Sequence, residues 1–257
     1  MSAPDRGWFD SVATDYARCR PRYPDAFFAW MAEKAPARHR CWDAACGSGQ
    51  ASIGLARWFS HVDATDLSPE QIAAAEQHPH IHYRQGAAEH SDLNNGSVDA
   101  VLVAAAIHWL DVDRFNREVQ RVLRTGGLLV WLGYEPIQGA PEALQAWLNR
   151  LYHERLDPFW PPERRHVNNC YADLSFPARD QPIPKGLNMT QQWTQSDLLG
   201  FISTWSALRR AGQQVDGNDQ ARSLINNLSD ELDQIWPKDS ERLVLRLPLM
   251  GRWGRLP

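Results

Sequence analysis

Cys41-Trp42-Asp43-Ala44-Ala45-Cys46-Gly47-Ser48-Gly49 is the stretch that decides the fold. It reads as a short buried strand running into a glycine turn. A helical pattern follows at Ala51, Ile53, Leu55, Ala56, Trp58 and Phe59. Gly47 and Gly49 let the backbone turn sharply and approach a ligand without Cβ collisions. The helix N-terminus behind them offers unpaired N–H groups and the positive end of a dipole. This is the pattern of the first βα turn in a nucleotide-binding α/β fold. A strand followed by G-x-G does not say which nucleotide, so the surroundings decide.

Downstream, His61-Val62-Asp63-Ala64-Thr65-Asp66 reads as the second strand, with Asp66 at its carboxyl end. An acid there is placed to accept hydrogen bonds from both hydroxyls of a ribose. Ser68-Pro69-Glu70-Gln71 has the form of a capping box with Pro at the first helical position. Residues 81–85 read as the third strand, ending at Gly86-Ala87-Ala88-Glu89. Ser97-Val98-Asp99-Ala100-Val101-Leu102-Val103 is the fourth, and its apolar run is that of a strand buried on both faces. It leads to Ala104-Ala105-Ala106-Ile107-His108-Trp109. Asp111 then caps a helix with Phe115, Val119, Val122 and Leu123 on one face, which Gly126-Gly127 ends, and residues 128–134 form the fifth strand. Strand and helix alternate throughout this stretch, which predicts a doubly wound, mostly parallel sheet with right-handed crossovers.

The flanks break the alternation. Residues 8–20 and a second helix opened by Pro24 precede the first strand, giving a helical cap over 1–38 in front of a ligand-binding core over 39–134. Residues 135–186 hold a helix carrying Leu144, Trp147, Leu148 and Leu151, then a Pro-rich stretch (157–186) of little periodicity, long enough to act as a lid. Residues 187–257 supply a strand, a helix capped by Thr194-x-x-Asp197, a further helix, and a last antiparallel strand over 243–249 whose Pro248 predicts a sheet margin. The whole reads as a single domain.

Composition narrows the classes. The chain has 257 residues, 43% of them hydrophobic, and a net charge of -4. These values predict a globular protein with a sizeable core and argue against nucleic acid or an anionic membrane as partner. The longest apolar run, Val101 to Ile107, is far too short to span a bilayer. The start Met1-Ser2-Ala3-Pro4-Asp5 lacks a basic-then-apolar leader, and four scattered cysteines favour a reducing cytoplasm. The expected partner is a small molecule; the sequence leaves the oligomeric state open. Twelve tryptophans predict that some line a pocket.

Taken together, these motifs resemble the class I S-adenosylmethionine-dependent methyltransferases. The glycine turn, the acid Asp66 after the second strand, and Arg121-Val122-Leu123-Arg124-Thr125-Gly126-Gly127 before the fifth stand where that family carries them. A trans-aconitate methyltransferase-like branch is suggested by Tyr16-x-x-x-Arg20-Pro21-x-Tyr23-Pro24, His108-Trp109, Trp160-Pro161-Pro162-Glu163-Arg164 and Thr204-Trp205-Ser206. The resemblance implies a Rossmann-like sheet, S-adenosyl-L-methionine as cofactor, and transfer of its methyl group to a small molecule, with a small carboxylic acid methylated on oxygen as the branch's suggestion. The family usually has Gly where Ala45 stands, and an Ala there is tolerable if its φ is negative.

The resemblance also assigns positions. Asp43, Ala44, Ala45, Gly47 and Gly49 would organise the turn and the amino-acid end of the cofactor. Asp66 and Leu67 would meet the ribose, Ala87 and Ala88 the adenine. Ala104 and Ala105 would pass beneath the methionine part, with His108 and Trp109 beyond. Tyr16 offers an aromatic face to a sulfonium and Arg20 a guanidinium to a carboxylate, either the cofactor's or the acceptor's; packing of the N-terminal helix is the alternative. Tyr16 and His108 are the candidate catalytic residues, His108 as general base or, with Trp109, as a positioning group. Methyl transfer is an in-line displacement that positioning and dryness accelerate, and a carboxylate nucleophile needs no base. Cys46 reads as a small residue filling the turn. Arg164, Arg165 and His166 read either as an acid-binding cluster or as solvated charge. His78, His80 and His82 alternate, as if on one strand face, but lack a carboxylate or Cys at ligand spacing, so no metal is expected. Two rival readings stay in view. An NAD-dependent oxidoreductase would want glycine where Ser52 stands. A non-catalytic nucleotide-binding relic is hinted at by Ala45.

Overall fold

In the computed structural model, which describes residues 19–214 and 219–257, five parallel strands form the centre of an eight-stranded sheet. They are β1 (Arg40–Ala44), β2 (His61–Asp66), β3 (Ile81–Gln85), β4 (Val98–Ala104) and β5 (Leu123–Tyr134), in the spatial order β3-β2-β1-β4-β5. The helices between them are α2 (Gln50–Leu55), α3 (Pro69–Ala73) and α4 (Val112–Val122), preceded by α1 (Asp25–Lys34). The doubly wound expectation holds, and its cause is visible in the period-two burial. On β4, Ala100 and Leu102 face one core with Phe27, Phe28 and Leu55 of α1 and α2. Val101 and Val103 face the other, with Phe115, Val119 and Val122 of α4. Each face is closed by its own helices, so neither can be shed to solvent.

Helix ends follow from local chemistry. Ser68 caps α3 by accepting from the Gln71 N–H, with Pro69 beginning the helix. Asp111 caps α4 by accepting from the Arg114 N–H. α2 packs so closely on α1 that a Cβ at Gly54 would collide with the Phe28 ring.

The carboxyl-terminal part covers the far edge. It contains α5 (Glu142–Arg150), α6 (Arg164–Asn168), β6 (Asp180–Pro182), β7 (Asn188–Trp193), α7 (Gln195–Ser203), α8 (Ser206–Gln213), α9 (Asp219–Ile235) and β8 (Leu243–Arg255). β8 runs antiparallel beside β5, and both β6 and β7 pair with β8. The Thr194–Asp197 capping box at α7 forms as expected.

Several expectations needed correction. The last strand extends to Arg255, and Pro248 lies inside it rather than at a margin. Its missing N–H falls where β8 exchanges partners: 243–248 pair with β7, and 249–255 pair with β5. The Pro248 carbonyl is used, accepting from the Glu135 N–H at 2.8 Å. α4 ends at Val122, and β5 begins at Leu123, so Gly126-Gly127 bends a strand instead of ending a helix. Leu123 already pairs with Val98 before the register shifts, and Gly126 sits at φ 72°. Of the alternating histidines only His82 is on β3, where it stacks on His61 of β2; His78 and His80 precede the strand. The stretch 157–186 carries α6, β6 and a short 3₁₀ turn (Asp157–Phe159). The helix expected over 8–20 lies outside the described residues, its last two positions apart.

Gly251 shows how tightly β5 and β8 approach. Its φ is 139°, and a Cβ there would overlap the Trp131 carbonyl oxygen. Gly251→Ala is therefore expected to cost about 3 kcal/mol or more, by strain at a glycine-only conformation in a closed ladder. Chemical denaturation of the full chain checks this; a loss under about 0.5 kcal/mol, the range of an ordinary surface substitution, would contradict it.

Candidate active site

The site forms where β1 and β4 stop being bonded to each other. Past the end of β1, the Cys46 N–H donates to Thr65 O of β2 at 2.9 Å. Past the end of β4, the Ala105 N–H donates to Leu132 O of β5 at 2.7 Å. The two chains are drawn apart, and a crevice opens at the carboxyl ends of the strands, as it does at a topological switch point. Ala45 and Ala105, the residues at this parting, hold φ values of 55° and 54°. The negative φ that would make Ala45 comfortable is not what the chain adopts. Both alanines sit in the left-handed region, a strain worth about 1–3 kcal/mol per residue.

A cavity of about 360 Å³ fills this crevice, within the range of about 300–1,000 Å³ for small-molecule sites. Its walls include Ala45, Gly47, Asp66, Leu67, Ala88, Ala104, Ala105, Trp109 and Arg20 from the expected set. Asp43, Ala44, Gly49 and Ala87 do not line it. Asp43 stands one layer behind. It is fully buried, and its carboxylate accepts from Ser52 Oγ at 2.5 Å. Burial raises the Asp43 carboxyl to about 7, the Ser52 hydroxyl partly opposing this. Ser52, where a dinucleotide-binding turn carries glycine, thus holds the acid that braces the turn. Gly49 at φ 82° caps α2, and its bare Cα carries the Tyr83 ring.

Asp66 reaches the cavity and also ties its floor together. One carboxylate oxygen accepts from the Gly47 N–H at 2.8 Å and the other from the Ser68 N–H at 2.9 Å. The carboxylate stands on the cavity wall, where the sequence expectation places the ribose hydroxyls. Gly86 leaves an open wall, since a Cβ there would meet nothing nearer than Thr65 at 4.0 Å. Small residues on three strand ends with one acid beside them fit the adenosine and amino-acid parts of S-adenosylmethionine.

Beyond Ala105 and Trp109 the cavity joins a smaller chamber of about 70 Å³, lined by residues that include His108, Tyr134, Tyr152, Trp160, Arg164 and Tyr171. Arg20 borders both spaces, donating to the Tyr134 hydroxyl and to the Thr204 carbonyl. His108 is buried, and burial, then the charge of Arg164, lowers its pKa to about 3. It stays neutral at physiological pH and is a weak base. Tyr16 lies outside the described residues. The sequence reading missed Cys46, Gln50, Gln71, Tyr134 and Arg209 as cavity walls. Tyr134 had a signal: it ends β5 beside the end of β4. Arg209 had none, because only tertiary packing brings α8 to the crevice. Arg164 lines the inner chamber while Arg165 is exposed, which divides the basic cluster.

A family model described as a methyltransferase domain matches residues 42–131, the stretch that builds this crevice. A Dictyostelium discoideum protein named as a methyltransferase is 33% identical over 202 residues, 77% of this chain and 76% of that one. The solved structure of a type II methyltransferase from Anaeromyxobacter dehalogenans is 38% identical, has a TM-score of 0.80, and covers 93% of this chain and 99% of its own. The chain belongs to the class I S-adenosylmethionine-dependent methyltransferases. Its cofactor is S-adenosylmethionine, and the nicotinamide and non-catalytic alternatives fall away. Further from it, the malonyl-[acyl-carrier protein] O-methyltransferase of Pectobacterium atrosepticum is 32% identical over 136 residues, 49% of this chain and 53% of that one. The chain likewise spans about half the length of three mycobacterial relatives.

Two substitutions test the methyltransferase's crevice. Ala45→Gly relieves the left-handed strain at a smaller cost in chain entropy, so unfolding should become harder by about 0.5–1 kcal/mol; thermal melts read this, and a destabilised glycine variant would contradict the conformation. Asp66→Ala removes the acceptor of two turn N–H groups together with the acid expected to meet the ribose. Cofactor affinity should fall at least about tenfold, since a hydrogen bond to a charged group contributes about 1.5–3 kcal/mol. Calorimetric titration with S-adenosylhomocysteine checks this on the folded variant, where an unchanged dissociation constant would exclude Asp66 from the ribose site.

Proposed function

We propose that this methyltransferase transfers the methyl group to a carboxylate oxygen of a small acid, as a member of the trans-aconitate methyltransferase-like branch acting in the cytoplasm. The observation that carries the reading is the inner chamber, which pairs guanidinium groups with a histidine that is neutral and weakly basic. Arg164 has no carboxylate partner among the described residues. Its guanidinium lies 4.9 Å from the Trp160 ring centre and 5.5 Å from that of Tyr152, and it donates to the Tyr152 hydroxyl. The aromatic box is therefore filled by the protein's own cation. That arrangement favours an anionic acceptor over an amine.

The chemistry agrees. Bound in the crevice, the cofactor supplies a methyl group on a positive sulfur, and its transfer to a carboxylate leaves two neutral products with no proton to move. His108 has no proton to accept in that reaction; its ring packs on Trp109 at 4.7 Å and shapes the wall. Arg20, held by Tyr134 and Thr204 at the junction of the two spaces, is placed to orient the reacting carboxylate. The name of the Pectobacterium relative puts O-methylation within this range of similarity. No helix among the described residues is long and apolar enough to cross a membrane, in keeping with a small acceptor taken from solution.

Labelled methyl donor incubated with small carboxylic acids should yield base-labile methyl esters. Neither the acceptor, already ionised above about pH 6, nor His108, near 3, should add an ionisation to kcat between about pH 6 and 9; a change near 7 belongs to Asp43 and should vanish in Asp43→Asn. A base-stable product, or a rise near 7 that survives Asp43→Asn, would replace the carboxylate with an acceptor that needs a base.

A further inference from the structure

Four acids are buried among the described residues, and three of them are met by a guanidinium. Asp63 pairs with Arg40 and Arg84, Asp99 with Arg124, and Glu118 with Arg121. Asp43 pairs with no cation among the described residues. One of its oxygens accepts from Ser52 Oγ at 2.5 Å, and the other is buried without a hydrogen-bond partner. Its neighbours in the sheet register are apolar, Ala64 of β2 and Leu102 of β4. An ionised carboxylate in such surroundings is costly unless a cation meets it. The fold supplies that cation at three sites and not at this one.

The titratable groups around Asp43 leave the charge unmet. Burial holds the Cys41 and Cys46 thiols and the Tyr83 phenol up, so they stay neutral near pH 7. Among the described residues Asp66 is the charged group that acts on Asp43, and its negative charge adds to the effect of burial. Asp66 lines the cavity, as do Ala45 and Cys46, which follow Asp43 by two and three residues. A cation in the cavity therefore stands against both acids.

The cofactor and its product differ by such a charge. S-adenosylmethionine carries an ammonium, a sulfonium and a carboxylate, which leaves one net positive charge. S-adenosylhomocysteine has lost the sulfonium charge and is neutral overall. An opposite charge nearby favours the ionised form of an acid, and does so strongly where water is excluded.

We propose that Asp43 is the residue through which the crevice discriminates the charged cofactor from its product: Asp43 releases its proton to solvent when S-adenosylmethionine fills the cavity, and takes one back from solvent once the sulfur has lost its methyl group. Asp43 acts through its field rather than by contact. It is a positioning residue that holds the cofactor more firmly before transfer than after. In the free protein burial keeps its proton in place up to about pH 7, so the release falls where it is measurable. This role holds whichever acceptor is methylated.

Calorimetric titration of the full chain with S-adenosylmethionine at about pH 7, in buffers of different ionisation enthalpy, counts the protons released. The wild type should release about 0.3–0.5 of a proton more than Asp43→Asn, as linkage requires of a half-protonated group whose pKa falls by about one unit. With S-adenosylhomocysteine that difference should be less than about half as large. The ligand's own amino group, which titrates at about 8, contributes equally in both proteins and is removed by the subtraction. Wild-type affinity for S-adenosylmethionine should rise about threefold between about pH 6 and 7.5. Ser52→Ala, which takes the donor from the ionised carboxylate, should move that rise to higher pH. Melting curves show whether Asp43→Asn is folded. If it is not, the infrared difference spectrum of the wild type decides, where a protonated-carboxyl band should disappear on binding S-adenosylmethionine. No proton release by the wild type, release undiminished in Asp43→Asn, equal release with both nucleosides, or a carboxyl band that persists would overturn the proposal.

Discussion

The site depends on a parting of hydrogen bonds. β1 and β4 are neighbours along their length, yet at their ends one chain bonds outward to β2 and the other to β5. At this parting Ala45 and Ala105 take the left-handed region, at a cost that glycine would have avoided. The sheet around them bears this strain because it is closed on both faces by separate apolar cores. Local strain of a few kcal/mol persists only where the surroundings over-determine it.

Behind the parting stands an acid that touches nothing in the cavity. Asp43 occupies the strand-end position where the family places its acid, and the structure gives it a bracing role through Ser52. Its carboxyl holds a proton more readily than an exposed acid, because burial penalises the charge more than one hydroxyl relieves it. Asp66 works the opposite way. Half-buried and tied to two backbone N–H groups, it joins the β1 turn to the β2 turn and still faces the cavity. The cofactor crevice is thus organised by two carboxylates at different depths, the inner for shape and the outer for contact.

The parallel half of the fold was legible because its signals are local. The continuous apolar run of β4, the Asp111 and Ser68 caps, and the glycine turn all act within a few residues, and each appears where the sequence puts it. Pro248 misled because a missing donor says nothing of which neighbour would have received it; an exchange of partners inside one strand serves as well as an edge. Gly126-Gly127 misled similarly, since a glycine pair bends a strand as readily as it ends a helix. In the site, the residues on the strand ends were readable from topology, and several of them line the cavity. Asp43 was read as part of the contact layer because sequence spacing fixes height along a strand but not depth behind a wall. The inner chamber was readable only in part: Arg164 stood in the basic cluster and Tyr134 at the end of β5, but nothing local in the sequence brings Tyr152 and Tyr171 to them.

The distribution of charge across the two spaces carries the last step. A sulfonium and a carboxylate that react become neutral, so a dry chamber raises the reactants relative to the products and speeds their union. A guanidinium devoted wholly to the reacting carboxylate would undo that advantage by stabilising the anion in the ground state. Arg20, the guanidinium at the junction, is shared between the Tyr134 hydroxyl and the Thr204 carbonyl. Both bonds fix its plane at the junction of the two spaces. Arg164 is likewise tied down, donating to the Tyr152 hydroxyl and stacked on Trp160. In the proposed reaction both guanidiniums are thus held before an acceptor arrives, and that fixed geometry turns binding energy into orientation rather than into a stabilised reactant.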